Sequence, residues 1–240
     1  MRLSLVFLHI QNNALISKFY PYSASWGSND PTYSSTSSSL DGWIYDHDDA
    51  VVVIAAGNYA SYSSTNPSIA SPATAKNVIA VGATESEGRD ITSSMFGSDY
   101  LAYFSSRGPT ADGRIKPDVV APGFNLLSAG SRRNAPPGSC DPEGTLDDIE
   151  LPGPYDPMPY EYGLYYSAGT SMATPVVSGT AALIRQYLVE GWGPSGSKNS
   201  ADEIESPSAS LVKAILINGA TSLKGKAYEL IAIHLFRLTH

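Results

Sequence analysis

Ala50-Val51-Val52-Val53-Ile54-Ala55-Ala56-Gly57-Asn58 is an unbroken run of small and β-branched residues that stops at Gly and Asn. A strand with one wet face alternates apolar and polar residues, whereas a continuous apolar run marks a strand covered on both faces. The run therefore predicts a central parallel strand, and Val78-Ile79-Ala80-Val81-Gly82-Ala83 predicts a second. Ligands of open α/β sheets meet the carboxyl ends of the strands, where Asn58 falls. Its side-chain amide can donate to a developing negative charge there, although Asn after Gly is also an ordinary turn former.

Further along lies Ser167-Ala168-Gly169-Thr170-Ser171-Met172-Ala173-Thr174-Pro175-Val176, where small residues give way to a long apolar segment. From Met172 to Leu188 the chain is apolar on nearly every side, which predicts a buried helix. Pro175 is read as part of its first turn, where a missing N–H costs nothing, and Gly191 as its stop. Ser171 then stands at the helix N-terminus, where unpaired amides and the positive end of the helix dipole favour an oxyanion beside its Oγ. Gly169 and Ala168 leave room for a substrate backbone, and Ala173 and Gly179 are read as letting the helix lie close to its neighbours. A serine before a helix is by itself an ordinary cap. The surrounding blocks give it another meaning.

Between strand and helix come Phe104-Ser105-Ser106-Arg107-Gly108-Pro109-Thr110 and Lys116-Pro117-Asp118-Val119-Val120-Ala121-Pro122-Gly123. With the GTSMATP block around Ser171, the AAGN block at Asn58 and Ser25-Trp26-Gly27, the order resembles the subtilisin-like serine proteases, the subtilases. The resemblance runs from about Ser23 to Ser222. It implies an α/β fold of three layers, a mostly parallel sheet with helices on both faces, present here in part. It also implies serine-type endopeptidase activity through an acyl-enzyme on Ser171, with Asn58 as side-chain donor of the oxyanion hole. Ser25, Trp26 and Gly27 on one side, and Ala55, Ala56 and Gly57 on the other, become the backbone walls of the pocket for the residue before the scissile bond. Polypeptides are the implied substrates, and an extracellular or endomembrane setting the implied location.

Two positions depart from the family pattern. Val176 stands where His usually follows the proline, a structural change. The larger departure concerns the base. A serine hydroxyl needs a neighbouring base to become a nucleophile, and in this family that is a His oriented by an Asp. Both belong to blocks on the N-terminal side of the SWG segment, and neither block is recognisable before Ser25. His9 lacks the Gly-Thr context. His47 falls on an amphipathic segment with Leu40, Trp43 and Ile44 on one stripe, and is read as a helix histidine beside aspartates. His234 and His240 lie in residues 223–240, which match no part of the family pattern. The expectation is thus the C-terminal two-thirds of a catalytic domain over residues 1–222, inactive or nearly so alone, with an N-terminal portion carrying Asp and His missing. The alternative is an inactive subtilase-like peptide-binding module. An α/β-hydrolase needs Gly-x-Ser-x-Gly, and this chain has Gly-Thr-Ser-Met-Ala.

Composition agrees with a globular body. The 240 residues are 42% hydrophobic and 16% charged, enough to build one core. A net charge of −8 disfavours nucleic acid or an anionic membrane as partner. No stretch approaches the ~20 apolar residues of a membrane span. The apolar part of Met1 to Gln11 is too short for a signal peptide. Cys140 is the single cysteine, so no intrachain disulfide forms and no zinc site is indicated. Residues 20–39 are read as a Ser- and Tyr-rich surface loop. Residues 131–161 hold seven prolines and seven acidic residues. The resemblance admits calcium, but these carboxylates lack the fixed spacing of a calcium loop and no ligand is assigned. Pro207 to Ala220 predicts a last helix, capped by Ser206 and stopped by Gly219.

Overall fold

The computed structural model of the chain describes residues 21–61, 67–86, 97–129, 164–193, 196–223 and 236–238. Strands β1 (Tyr22–Ala24), β2 (Val52–Ala55), β3 (Ile79–Thr84) and β4 (Val119–Pro122) run parallel in that order. Strand β8 (Phe236–Leu238) continues the sheet in parallel beside β4, and β7 (Ala220–Ser222) closes it antiparallel to β8. The last strand thus comes from residues 223–240, the stretch that the sequence reading set apart as a C-terminal tail. A separate antiparallel pair joins β5 (Leu126–Ala129) to β6 (Leu164–Ser167). The long Pro-rich and acidic segment between them lies outside the described residues, as does Cys140.

The continuous apolar runs fold as strands because both faces are covered. Val51, Val53, Ile79, Val81, Ala83, Val119 and Ala121 face one way, into a core shared with α2 (Thr170–Val189) and α3 (Ala209–Asn218). Val52, Ile54, Ala56, Val78 and Ala80 face the other way, where α1 (Ser35–Asp46) adds Leu40 and Ile44. Each fully buried Val or Ile contributes about 1.5–3 kcal/mol relative to exposure. The alternation places the sheet as the middle of three layers.

Several local readings change. The stretch read as a loop over residues 20–39 contains β1 and the start of α1, with Ser34 as N-cap accepting from the Ser37 N–H. Ser37 is fully buried because its hydroxyl bonds Thr74 at 2.8 Å, so a serine-rich sequence forms a packed helix here. Helix α3 is capped by Ser208, which accepts from Leu211 N at 3.2 Å, and Ser206 precedes it. Gly219 ends it as expected. Helix α2 begins at Thr170, two residues before the predicted start, and this places Pro175 inside the helix, beyond the first turn. Nor is it buried all round: Val176, Leu183 and Tyr187 are exposed, since the sheet and α3 cover one side only. A Cβ on Gly179 would meet nothing within 4 Å, so this glycine serves no close approach.

Gly123 does. Its N–H donates to Thr84 O at 3.0 Å and its carbonyl accepts from Gly169 N at 2.8 Å, joining the sheet to the residue before α2. A Cβ there would stand 2.7 Å from Ala83 Cβ and 2.8 Å from Gly169 O. Gly123→Ala is therefore expected to cost about 1–3 kcal/mol through overpacking, read as a lowered midpoint in denaturant unfolding.

Candidate active site

The carboxyl ends of β1 and β2 and the N-terminus of α2 converge. Ser25 follows β1 directly, and its hydroxyl donates to Ser171 O at 3.0 Å. In return, Ser171 Oγ donates to Ser25 O at 3.4 Å. Asn58 follows β2 by three residues and reaches the same helix tip: its Oδ1 accepts from Thr170 N at 2.9 Å and from Thr170 Oγ1 at 3.0 Å. Both bonds use the amide oxygen, which leaves the Nδ2 donor turned outward.

Gly169 locates what that donor faces. Its backbone is at φ +154°, and the point where a Cβ would sit lies 3.4 Å from Asn58 Nδ2 and 3.6 Å from Ser171 N. Two nitrogen donors, with Met172 Sδ at 3.6 Å as a third neighbour, therefore border one small volume left by a missing side chain. An oxygen atom carrying negative charge would be bonded from both sides there. The helix dipole adds to the same field.

The two segments read from sequence as walls are each tied to neighbouring backbone. Thr170 Oγ1 accepts from Gly57 N at 3.3 Å, which ties the end of β2 to the helix. Gly57 needs its positive φ of +108°, and a Cβ on it would lie 2.9 Å from Ser106 Oγ. Ala55 and Ala56 are buried, with Ala56 N donating to Val81 O and Ala56 O accepting from Ala70 N. On the other side Ser28 N donates to Ser71 O at 2.9 Å, so both walls are braced on Ala70 and Ser71. Trp26 projects outward, 48% exposed.

Sequence reading missed one participant, Thr170, and one role, that of the Ser25 side chain. Thr170 is fully buried, and its hydroxyl joins Asn58 to Gly57. Ser25 supplies a hydroxyl as well as backbone. A polar residue between the glycine and the serine was the only available signal for the first.

No histidine among the described residues reaches Ser171. His47 sits at the C-terminal end of α1, stacked on Trp43 with ring centroids 4.4 Å apart, and its Nδ1 lies 2.8 Å from Trp43 O. That is the amino end of β2 and the opposite face of the sheet from α2. His9, His234 and His240 lie outside the described residues. Among the described residues no group of three or more His, Cys, Asp or Glu side chains comes together to hold a metal. Asp141, Asp147, Asp148 and Glu150 lie outside them. No described helix is long and apolar enough to cross a membrane.

These features define an α/β protein that presents one serine at a helix tip beside a carboxamide. The Subtilase family model matches residues 14–231, and the chain belongs to that family. It is 31% identical to the Serine protease/ABC transporter B family protein tagD of Dictyostelium discoideum, over 84% of this chain and 14% of that protein. It is 34% identical to Serine protease AprX of Bacillus subtilis, over 73% of this chain and 36% of that protein. The chain thus spans well under two thirds of either relative. The crystal structure of a cold adapted subtilisin-like serine proteinase superposes with a TM-score of 0.55 at 20% identity, over 99% of this chain and 60% of that one, and shares its fold.

Proposed function

We propose that this chain carries the nucleophile, the oxyanion donors and the pocket walls of a serine endopeptidase. The observation that carries this reading is the volume in front of Gly169, bordered by Asn58 Nδ2 and Ser171 N. Ser171 Oγ attacks the scissile carbonyl of a polypeptide, and the carbonyl oxygen takes the charge into that volume. The tetrahedral centre then collapses as the C–N bond breaks, the amine leaves with the proton that came from Oγ, and the acyl group stays on Oγ until water releases it as a carboxylic acid. The proton of Oγ must leave. Ser25 O accepts a hydrogen bond but is no base, so full turnover depends on a histidine and an acid from outside the described residues. Without them the donors alone support only a trace rate, since losing the base costs about 10⁶-fold in subtilisin itself. Extracellular or endomembrane substrates fit the family.

A second reading, a peptide-binding module without a base, is favoured by the position of His47. A fluorophosphonate probe separates the two. Slow labelling of the purified protein, detectable on long exposure and abolished in Ser171→Ala, is the expected result, and complete silence of the wild type would overturn the protease reading in favour of the binding module.

A further inference from the structure

Helix α2 contains a proline where a helix ordinarily makes a backbone bond. Because α2 begins at Thr170, residue 175 lies past the four positions whose N–H groups are free in any helix. The N–H of residue 175 would donate to the carbonyl four residues earlier, which is Ser171 O. Pro175 has no N–H, and its ring crowds that carbonyl. Ser171 O therefore lacks the donor that the helix would give it and is open to another. Ser25 Oγ, from the strand side of the site, lies 3.0 Å from it.

The geometry points to Pro175 and Ser25 as a couple that ties the backbone of Ser171 to the segment following β1. The proline frees the carbonyl, and the Ser25 hydroxyl takes it. The reciprocal bond from Ser171 Oγ to Ser25 O closes a ring between the two serines. Ser25 is then a positioning residue rather than only a stretch of pocket wall: it fixes the nucleophile against the strand along which a substrate is read. The arrangement also explains a cost. An interior proline weakens a helix that alanine would strengthen, so the position trades helix stability for placement of Ser171. The positional role rests on the proposed function. The tie itself does not.

The test is a double-mutant cycle on the full chain, read first by thermal unfolding. Pro175→Ala restores the missing N–H and is expected to raise the melting temperature by a few degrees. Ser25→Ala removes the substitute donor and is expected to lower it. In the Pro175→Ala background the carbonyl is already satisfied, so Ser25→Ala is expected to have little further effect. Additive shifts would overturn the tie, because independent sites add. The second readout is the rate of fluorophosphonate labelling. Pro175→Ala is expected to label roughly 10–100-fold more slowly although it is more stable, the size of effect that a misplacement near 1 Å produces. Ser25→Ala is expected to label more slowly than the wild type, and Ser25→Thr, which keeps the hydroxyl, to recover part of that loss. A stabilised Pro175→Ala that labels at the wild-type rate would overturn the positioning role. A wild type that never labels would instead sink the proposed function, and the melting cycle would still decide the tie.

Discussion

Replacing Asp118 by Asn is expected to destabilise the fold by about 3–5 kcal/mol, the range for breaking a buried ion pair from one side. Asp118 serves two ammonium groups. Lys116 Nζ lies 2.6 Å from its Oδ2 and Lys213 Nζ 2.9 Å from its Oδ1, and both lysines also donate to Val78 O. Ala80 N adds a bond of 2.7 Å to the same carboxylate. The cluster joins β3, β4 and α3 at the end of the sheet away from Ser171. Burial alone would raise the Asp118 carboxyl, but the two lysines and the backbone bond outweigh it and hold it below its ordinary 3.8. Lys116 is pushed down from 10.5 to about 8, first by burial and against the pull of Asp118, with Lys213 competing for the same carboxylate.

One anion for two cations makes the two ends of the cluster respond differently. Loss of Asp118 leaves two ammonium groups with no counter-charge, whereas Lys116→Met removes the cation in excess and leaves the Asp118–Lys213 pair. Lys116→Met is therefore expected to be near neutral or stabilising, which separates lost charge balance from lost packing. Both are checked by denaturant unfolding at pH 7. Because the carboxyl of Asp118 titrates lower in the fold than in the unfolded chain, its contribution is present above 3.8 and is lost as pH falls through the carboxylate range. Lys116 has the opposite sign from a paired lysine. Between about pH 8 and 10.5 the unfolded chain holds a proton that the fold has released, so the Lys116 contribution makes stability rise with pH there. A flat wild-type profile over that window, matching Lys116→Met, would contradict this assignment.

How far the sequence could be read follows from which interactions are local. Strands β2 and β3 were legible because burial on both faces leaves an uninterrupted run of Val, Ile and Ala. Ser171 and Asn58 were legible because a helix tip and a strand end are positions that sequence can locate. The Asp118 cluster was not, since Lys213 joins it from 95 positions further along the chain and nothing in the helix marks its partner. Pro175 shows a subtler limit. Starting the helix at Met172 makes the proline a harmless first-turn residue. Starting it at Thr170, as Gly169 and the Asn58 contacts to Thr170 dictate, turns the same proline into a missing bond. An error of two residues in a boundary therefore changes the chemistry assigned to the site. Ser34 to Ser39 failed for a different reason: hydroxyl side chains favour loops until a buried partner such as Thr74 takes them up.

Asn58 allows the proposed oxyanion contact and the structural use of one side chain to be separated. Its oxygen holds Thr170, and its nitrogen faces the volume in front of Gly169. Asn58→Asp keeps an acceptor for Thr170 N and Thr170 Oγ1 but replaces the outward donor with a second acceptor carrying negative charge. It is expected to melt close to the wild type while hydrolysis or labelling falls by at least ~10²–10³-fold, the cost of losing this donor in subtilisin itself. Asn58→Ala removes both functions and is expected to lose the same rate and also stability, about 1–3 kcal/mol for the buried Thr170 groups left without their acceptor. Steady-state kinetics on a chromogenic peptide should place the loss in kcat with KM little changed, because the donor acts on charge that exists only in the transition state. If Asn58→Asp instead labels at the wild-type rate, the carboxamide is a strut for the helix and the volume beside Gly169 is not where the negative charge develops.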